Sequence, residues 1–310
     1  MTYNFRDATS LAKWTTLSLY AQIAVTVGAL ISGYLEYETL IALKEGTFES
    51  QQAAVSAAEA SDNRQGLVGL AQLIVLIASG FLILRWIHRA NWNARALGAE
   101  NMQFTPGWSI GWYFVPIANL WKPYQAMKEI WMASATSKEW QSQTVPTLLG
   151  LWWTLWIVHS MLGNASFRMS MRAKELTDLI SANIVTIISD VAALPLCAVF
   201  LLVLTRIQGM QSARGVSNNP GVGRQIGDRM NDNQKVVLVV VITAIAAMLL
   251  FPPFHLRGMY ATINLGYGFL FSPPSYYDGT LGAVDIGMLI TQWLGVLILG
   301  GIVFYMFKDK

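Results

Sequence analysis

Six separate runs of mostly apolar residues, at roughly 14–35, 66–87, 146–166, 184–205, 236–254 and 285–307, constrain this chain more than any other feature. A hydrocarbon core about 30 Å thick is crossed by roughly 20 apolar residues in a helix, and each run is close to that length. Within lipid the backbone must satisfy its own N–H and C=O groups, so even the Val/Ile-rich stretch from Val236 to Leu250 is expected as helix rather than strand. Composition agrees, with 54% of residues hydrophobic and 13% charged and a mean hydropathy of +0.42, a membrane balance. The expected fold class is an all-α integral membrane protein with six transmembrane helices arranged as three hairpins. A net charge of +3 gives no reason to expect nucleic acid, and the single Cys197, inside an apolar run, can form neither an intramolecular disulfide nor a thiolate cluster. Asp7 comes early and no small-residue cleavage site follows the first run, so that run is read as an uncleaved span.

Whether a further segment crosses decides the topology. Between the second and third runs lies P-G-W-S-I-G-W-Y-F-V-P-I-A-N-L-W-K-P-Y, Pro106 to Tyr124, apolar but carrying three prolines, an asparagine and a lysine. Short cytoplasmic loops are enriched in Lys and Arg. If this segment does not cross and the N-terminus is cytoplasmic, fifteen of the 21 basic residues lie inside, and the first outer loop holds Glu36, Glu38, Glu45, Glu49, Glu59 and Asp62. If it crosses, only nine lie inside. Pro116 and Asn119 interrupt a helix begun near Trp108, because the residue before a proline is pushed out of helical geometry. Segment 106–133 is therefore expected as a re-entrant or interfacial helix, its interfacial motif being Trp108, Trp112, Pro116, Asn119, Trp121, Lys122 and Tyr124. From Asn119 onward Trp121, Tyr124 and Trp131 share one face while Lys122, Gln125 and Glu129 share another, as in a helix at the headgroup level. A short proline-kinked span is the alternative.

The ends of the second and fourth runs, F-L-I-L-R-W-I-H-R-A-N-W-N-A-R at 81–95 and F-L-L-V-L-T-R-I-Q-G-M-Q-S-A-R at 200–214, suggest an internal repeat, although lipid-facing composition alone yields some such matches. Two parallel copies need a linker that returns to its starting side, which a non-crossing 106–133 supplies. The expected domains are a four-span unit over 1–214, a cytoplasmic linker over 215–234 and a two-span hairpin module over 235–310.

Two stretches, W-I-H-R-A-N-x-N-A-R-A-L-G-A at 86–99 and P-G-W-S-I-G-W-Y-F-V-P-I-A-N-L-W-K-P-Y-Q-A-M-K-E-I-W at 106–131, also carry a family likeness. Over about residues 10–214 the chain resembles a bacterial multi-spanning membrane family catalogued as a domain of unknown function, family 4328. The resemblance implies an integral membrane location in bacteria and supplies no activity, substrate or catalytic residue.

Motifs for catalysis or metal binding are absent from the sequence: no H-E-x-x-H, paired C-x-x-C, G-x-S-x-G or G-x-x-x-x-G-K-[ST]. Gly221 to Gly227 has the wrong glycine spacing for a phosphate loop and no preceding strand, and reads as a flexible cytoplasmic loop. His88, His159 and His255 fall in three different places, so no shared metal site and no cofactor is expected. Ionisable groups inside a bilayer cost about 2.5–3.5 kcal/mol and are the default functional candidates. Asp190, sixteen residues before Arg206, stands roughly 24 Å above the inner end of its helix, and His159, thirteen residues after Pro146, roughly 20 Å above the inner end of the preceding one. At one depth on sequential helices, they could form a hydrogen-bonded pair that relays protons or selects cations, with Pro195 loosening the helix, or else a static polar lock. Gln22, Thr26, Gln72 and Ser79 offer the first hairpin only neutral groups.

The third hairpin carries an outer aromatic loop, Tyr260, Tyr267, Phe269, Tyr276 and Tyr277 between paired prolines, suited to a partner or lipid contact or to a self-packed cap. On the inner side Arg206, Arg214, Arg224, Arg229 and Lys235 fit either attraction to anionic headgroups or topogenic charge. The functional expectation is a polytopic bacterial inner-membrane protein, both termini cytoplasmic, acting as a non-catalytic scaffold or accessory subunit of a membrane assembly. Its partners would be the lipid bilayer and other membrane proteins or a second copy of the chain. The alternative is an ion or small-solute channel or transporter using Asp190 and His159. A lipid-modifying enzyme lacks a convincing set of acid, base, nucleophile and metal ligands.

Overall fold

The computed structural model describes residues 3–136, 139–218, 251–257, 262–276 and 281–306, with scattered positions between 237 and 250. Most of the expected linker 215–234, the glycine stretch 221–227, Tyr260 and Tyr277 lie outside the described residues. The chain is mostly helical: α1 (Thr9–Glu45), α2 (Gln51–Ala96), α3 (Trp108–Gly111), α4 (Lys122–Ala135), α5 (Thr147–Arg172), α6 (Leu176–Asn218) and α7 (Ile286–Met306). Every described position from 237 to 250 is also helical.

Helices α1, α2 and α6 are long and apolar enough to cross a membrane, which marks the chain as a membrane protein; α7 carries a shorter apolar stretch, Gly287–Val303. α1 has 37 residues and α2 has 46, so they measure about 55 and 69 Å against a hydrocarbon thickness of about 30 Å. The apolar runs are therefore middle sections of helices that continue past any hydrocarbon core. Large side chains such as Leu73, Ile74, Leu76 and Ile77 of α2 are exposed along that section, as expected where lipid rather than protein covers the helix.

Two expectations are corrected. The all-α class does not extend to the segment before α7, where β1 (Pro253–Arg257), β2 (Thr262–Tyr267) and β3 (Ala283–Val284) form an antiparallel sheet in the order β2-β1-β3. Pro252 and Pro253 lack the N–H a helix needs and stop the preceding helix short of 254. Gly266 supplies a backbone at φ +81°, a conformation that costs glycine little. A sheet with open edges has unpaired polar groups, so it belongs outside hydrocarbon.

Segment 106–133, secondly, is not one re-entrant or interfacial helix. It divides into α3, two single 3-10 turns at Trp112–Phe114 and Ala118–Leu120, and the separate helix α4. Pro116 breaks the first part, and Ile117 is held at φ +66°, a strained value for a β-branched residue. Phe114 and Ile117 are 72% and 71% exposed, making an apolar tip. α4, by contrast, is buried on most sides through Ala126, Met127, Ile130, Met132 and Ala133. Glu129, expected on the wet face, is only 4% exposed.

Packing divides the chain into two compact units. The first comprises Met1–Gly28, Gln72–Arg168 and Val185–Gly227; the second comprises Ala29–Ala71, Met169–Ile184 and Asp228–Lys310. The division does not follow chain order, since α1, α2 and α6 each contribute to both. In the first unit α4 packs into a core with Trp86, Ile87, Leu149, Val203, Leu204 and Ile207. Phe200 lies edge-on to Trp86 at 6.0 Å and tilted against Trp152 at 5.7 Å, contacts that contribute about 0.5–1.5 kcal/mol each beyond area burial. In the second unit the sheet packs through Phe254 and Val284 with Leu67, Val68, Leu289 and Trp293. Ser56 Oγ accepts the Leu281 N–H at 2.8 Å.

The A-N-x-N-A-R stretch, 90–95, has a mechanical explanation in the first unit. Asn91 and Arg95, one helical turn apart, both donate to Phe104 O at 2.9 Å, and Arg95 also donates to Met102 O at 3.0 Å. Asn93 points elsewhere and exchanges two bonds with the Arg6 backbone, at 2.8 and 3.0 Å. Buried amides are costly unless bonded, so each specifies one loop position.

Candidate functional site

The connection between α5 and α6 is three residues long, so the two helices turn back on each other and residues equidistant from Lys174 come level. His159 and Ser189 are such a pair. His159 Nδ1 lies 3.1 Å from Ser189 O and 3.5 Å from Ser189 Oγ. A carbonyl only accepts, so Nδ1 carries the proton, and in a neutral ring Nε2 is then the acceptor.

Asp190 follows Ser189 but points about 100° further round the helix. Its Oδ1 accepts a hydrogen bond from Gln72 Nε2 on α2 at 3.1 Å. His159 and Asp190, read as a possible pair, instead meet other groups: His159 bonds Ser189 and Asp190 bonds Gln72. Consecutive positions on one helix cannot both turn to α5, and α6 uses Ser189 toward α5 and Asp190 toward α2.

Further polar contacts occupy the same unit. Ser79 Oγ donates to Gln22 Oε1 at 3.4 Å, and the Ser166 and Thr186 hydroxyls lie 2.6 Å apart. Gln72, Gln22 and Ser79, read as neutral bystanders, are thus partners. Depth would have found Gln72: thirteen residues before Arg85, it stands roughly 20 Å along its helix, near the level of Asp190. Asp190 forms no ion pair among the described residues.

Of the interfacial motif, the structure brings together Trp108, Trp112 and Lys122. The two indoles lie 4.7 Å apart, and Lys122 Nζ stands 5.8 Å from the Trp112 ring and 5.6 Å from that of Phe104. With Gln103 they line a cavity of about 300 Å³. Tyr124 instead stacks on Trp153 at 6.2 Å, and Trp153 Nε1 donates to Leu120 O at 3.0 Å. Pro116 and Asn119 shape the turn, and Trp121 is exposed. Of the outer aromatics, Tyr267 accepts a hydrogen bond from Gln292 at 2.6 Å, and Phe269 lies 5.5 Å from both Phe251 and Phe271. Tyr276 is half-buried.

The contacts of three sets of polar residues escaped sequence reasoning. Arg214 donates to Ala133 O and Ser134 O at 3.0 Å and to Leu97 O at 3.2 Å, closing the ends of α4 and α2. Glu129 accepts the N–H groups of Gln103 and Phe104 at 2.5 and 3.0 Å; burial pushes its carboxyl above the ordinary glutamate range, against the pull of those two donors and Arg95. In the second unit Glu36 Oε2 accepts from Gln65 at 2.6 Å and from Asn183 at 2.7 Å. Among the described residues no group of three or more His, Cys, Asp or Glu could hold a metal ion.

No curated protein and no solved structure matches the chain. One family does, over more than half of the length, from just before α2 to within α6, a narrower stretch than the resemblance at 10–214. By that match over residues 50–209, the chain belongs to the family described as Domain of unknown function (DUF4328).

Proposed function

We propose that the chain is a multi-pass protein of the bacterial inner membrane that acts as a scaffold or accessory subunit of a membrane assembly. The observation that carries this reading is the pairing of polar groups between its long helices. Gln72 with Asp190, Gln22 with Ser79, Ser189 with His159, and Ser166 with Thr186 each join two helices, an arrangement that fixes a bundle rather than lining a wet path. In this reading six crossings form three hairpins, both termini are cytoplasmic, and the exposed tip at Phe114 and Ile117 dips into lipid without crossing. The charge bias of the loops supports that orientation, and the strained, solvent-averse turn supports the dip. Mild-detergent solubilisation from native membranes, followed by identification of copurifying chains, tests the role: recovery with stoichiometric membrane partners is expected, and a lone monomer across several mild detergents refutes it.

A second reading is kept because Asp190 accepts from the neutral Gln72 amide and His159 bonds Ser189, the residue beside it. A channel or transporter built on them should lose flux in proteoliposomes on Asp190→Asn while still folding. Unchanged flux removes Asp190 from any transport mechanism.

A further inference from the structure

Helix periodicity puts four side chains on one side of α2 as it leaves its apolar section: Arg85, His88, Arg89 and Trp92, at i, i+3, i+4 and i+7. The N-terminal segment is laid across that stripe by specific bonds. Trp92 Nε1 donates to Asn4 O at 2.8 Å, Asn93 and Arg6 exchange their two bonds, and Arg89 donates to Asp7 O at 3.3 Å. Arg6 is thereby held with its guanidinium 4.2 Å over the Trp92 ring, and it joins Arg85 and Arg89 around a cavity of about 340 Å³. Leu11 and Ile110 complete the lining as an apolar wall.

Three guanidiniums around one cavity repel each other, and no residue of the lining is acidic. Asp7, the one carboxylate that acts on Arg89, also holds the first residue of α1, its Oδ1 accepting from Thr9 N–H at 2.9 Å and Thr9 Oγ1 at 2.6 Å. No ion pair among the described residues includes Arg6, Arg85 or Arg89. Burial first, and the neighbouring guanidiniums second, hold Arg89 and His88 below their ordinary values. Three guanidinium forks gathered against the single carboxylate of Asp7 leave an excess of positive charge that matches the oxygens of a tetrahedral anion, and an apolar wall beside them suits an anion carried on an apolar body.

We propose that this cavity binds a phosphate group, with Arg6, Arg85 and Arg89 as its donors. The site stands independently of the scaffold reading. Two sources present that chemistry, an anionic phospholipid headgroup and a free phosphate. The test uses the full chain in neutral detergent, titrated separately with phosphatidylglycerol, inorganic phosphate and diacylglycerol, which lacks phosphate. Phenylglyoxal modification of each arginine is read by peptide mass spectrometry. Protection of Arg85 and Arg89 but not Arg168 by phosphatidylglycerol alone assigns the lipid headgroup. Protection by inorganic phosphate as well assigns the soluble anion. No protection by either, or equal protection by diacylglycerol, overturns the proposal. The double variant Arg85→Gln/Arg89→Gln is expected to bind the protecting ligand about thirtyfold more weakly, and unchanged affinity also overturns it. Should that variant fail to fold, the protection pattern of the unaltered chain decides alone.

Discussion

Arg214→Met should loosen the first unit, by an amount the geometry sets. The Arg214 guanidinium donates three hydrogen bonds, to the carbonyl just past α2 and to two in the last turn of α4. Final carbonyls of a helix have no intrahelical donor, and they carry the negative end of its dipole, so a cation there satisfies two helices at once. A bond from a charged donor contributes about 1.5–3 kcal/mol, which puts three at no less than about 4.5 kcal/mol if water never reached them. The side chain is half-buried, and water re-solvates part of what is released, which leaves a loss of about 2 kcal/mol. For a chain of this size that is a drop in Tm of about 3 °C.

The assay is thermal unfolding of the purified protein in one detergent, followed by loss of the monodisperse peak in size-exclusion chromatography. Arg206→Met is the reference, because Arg206 is exposed two turns earlier on the same helix; its shift should stay below about 1 °C, as for most surface changes. Arg214→Lys keeps the charge but not the fork, and is expected midway. If Arg214→Met shifts Tm no more than Arg206→Met, the closing role is wrong and the charge is topogenic.

Glu129→Gln is expected to cost about 1–3 kcal/mol, because an amide has one acceptor oxygen for the two N–H groups the carboxylate now holds. The raised carboxyl makes the folded chain bind its proton more tightly than the unfolded one, so that share of stability is complete below the unfolded value and lost as pH rises through the folded one. The variant lacks that titration, and the gap between the two proteins should narrow with rising pH in chemical unfolding; a widening gap contradicts the burial account. Phe254→Ala removes the 1%-exposed centre of the sheet's packing and should cost about 3–5 kcal/mol. Proteolysis restricted to the β1 to β3 region would report it, and an unchanged cleavage pattern would mean the sheet is held by its strand pairing alone.

Helices were legible in the sequence because a long apolar run in a membrane chain has a single backbone solution. The region after Leu250 was not, because the same hydrophobic vocabulary serves strands once a segment leaves lipid, and Pro252-Pro253 ends a helix without specifying the element after it. α4 was misread for a related reason: its 122–135 pattern has an apolar face and a polar edge, but Glu129 bonds two backbone N–H groups instead of facing water, and only tertiary structure supplies those donors. Counting rise along each helix put Asp190 and His159 near one level, and His159 bonds Ser189, the residue beside Asp190. Their partners needed azimuth as well as depth, and azimuth depends on how each helix is rotated in the bundle.

That dependence makes α6 the organising helix of the first unit. Ser189 meets α5 and Asp190 meets α2, while near the other end Gln211 donates to Ala90 O and Ser134 Oγ, both at 2.8 Å, and Arg214 reaches α2 and α4. Contacts at two levels along one helix, on either side of Pro195, fix both its rotation and its axial register. A slip of one residue would turn Asp190 by about 100° away from Gln72 and carry Arg214 about 1.5 Å along the axis, breaking polar contacts at both levels together. Apolar packing alone tolerates small rotations, since one aliphatic surface slides on another at little cost. The few polar residues of α6 therefore set its position in the bundle, and Leu, Val and Phe fill the space around that choice.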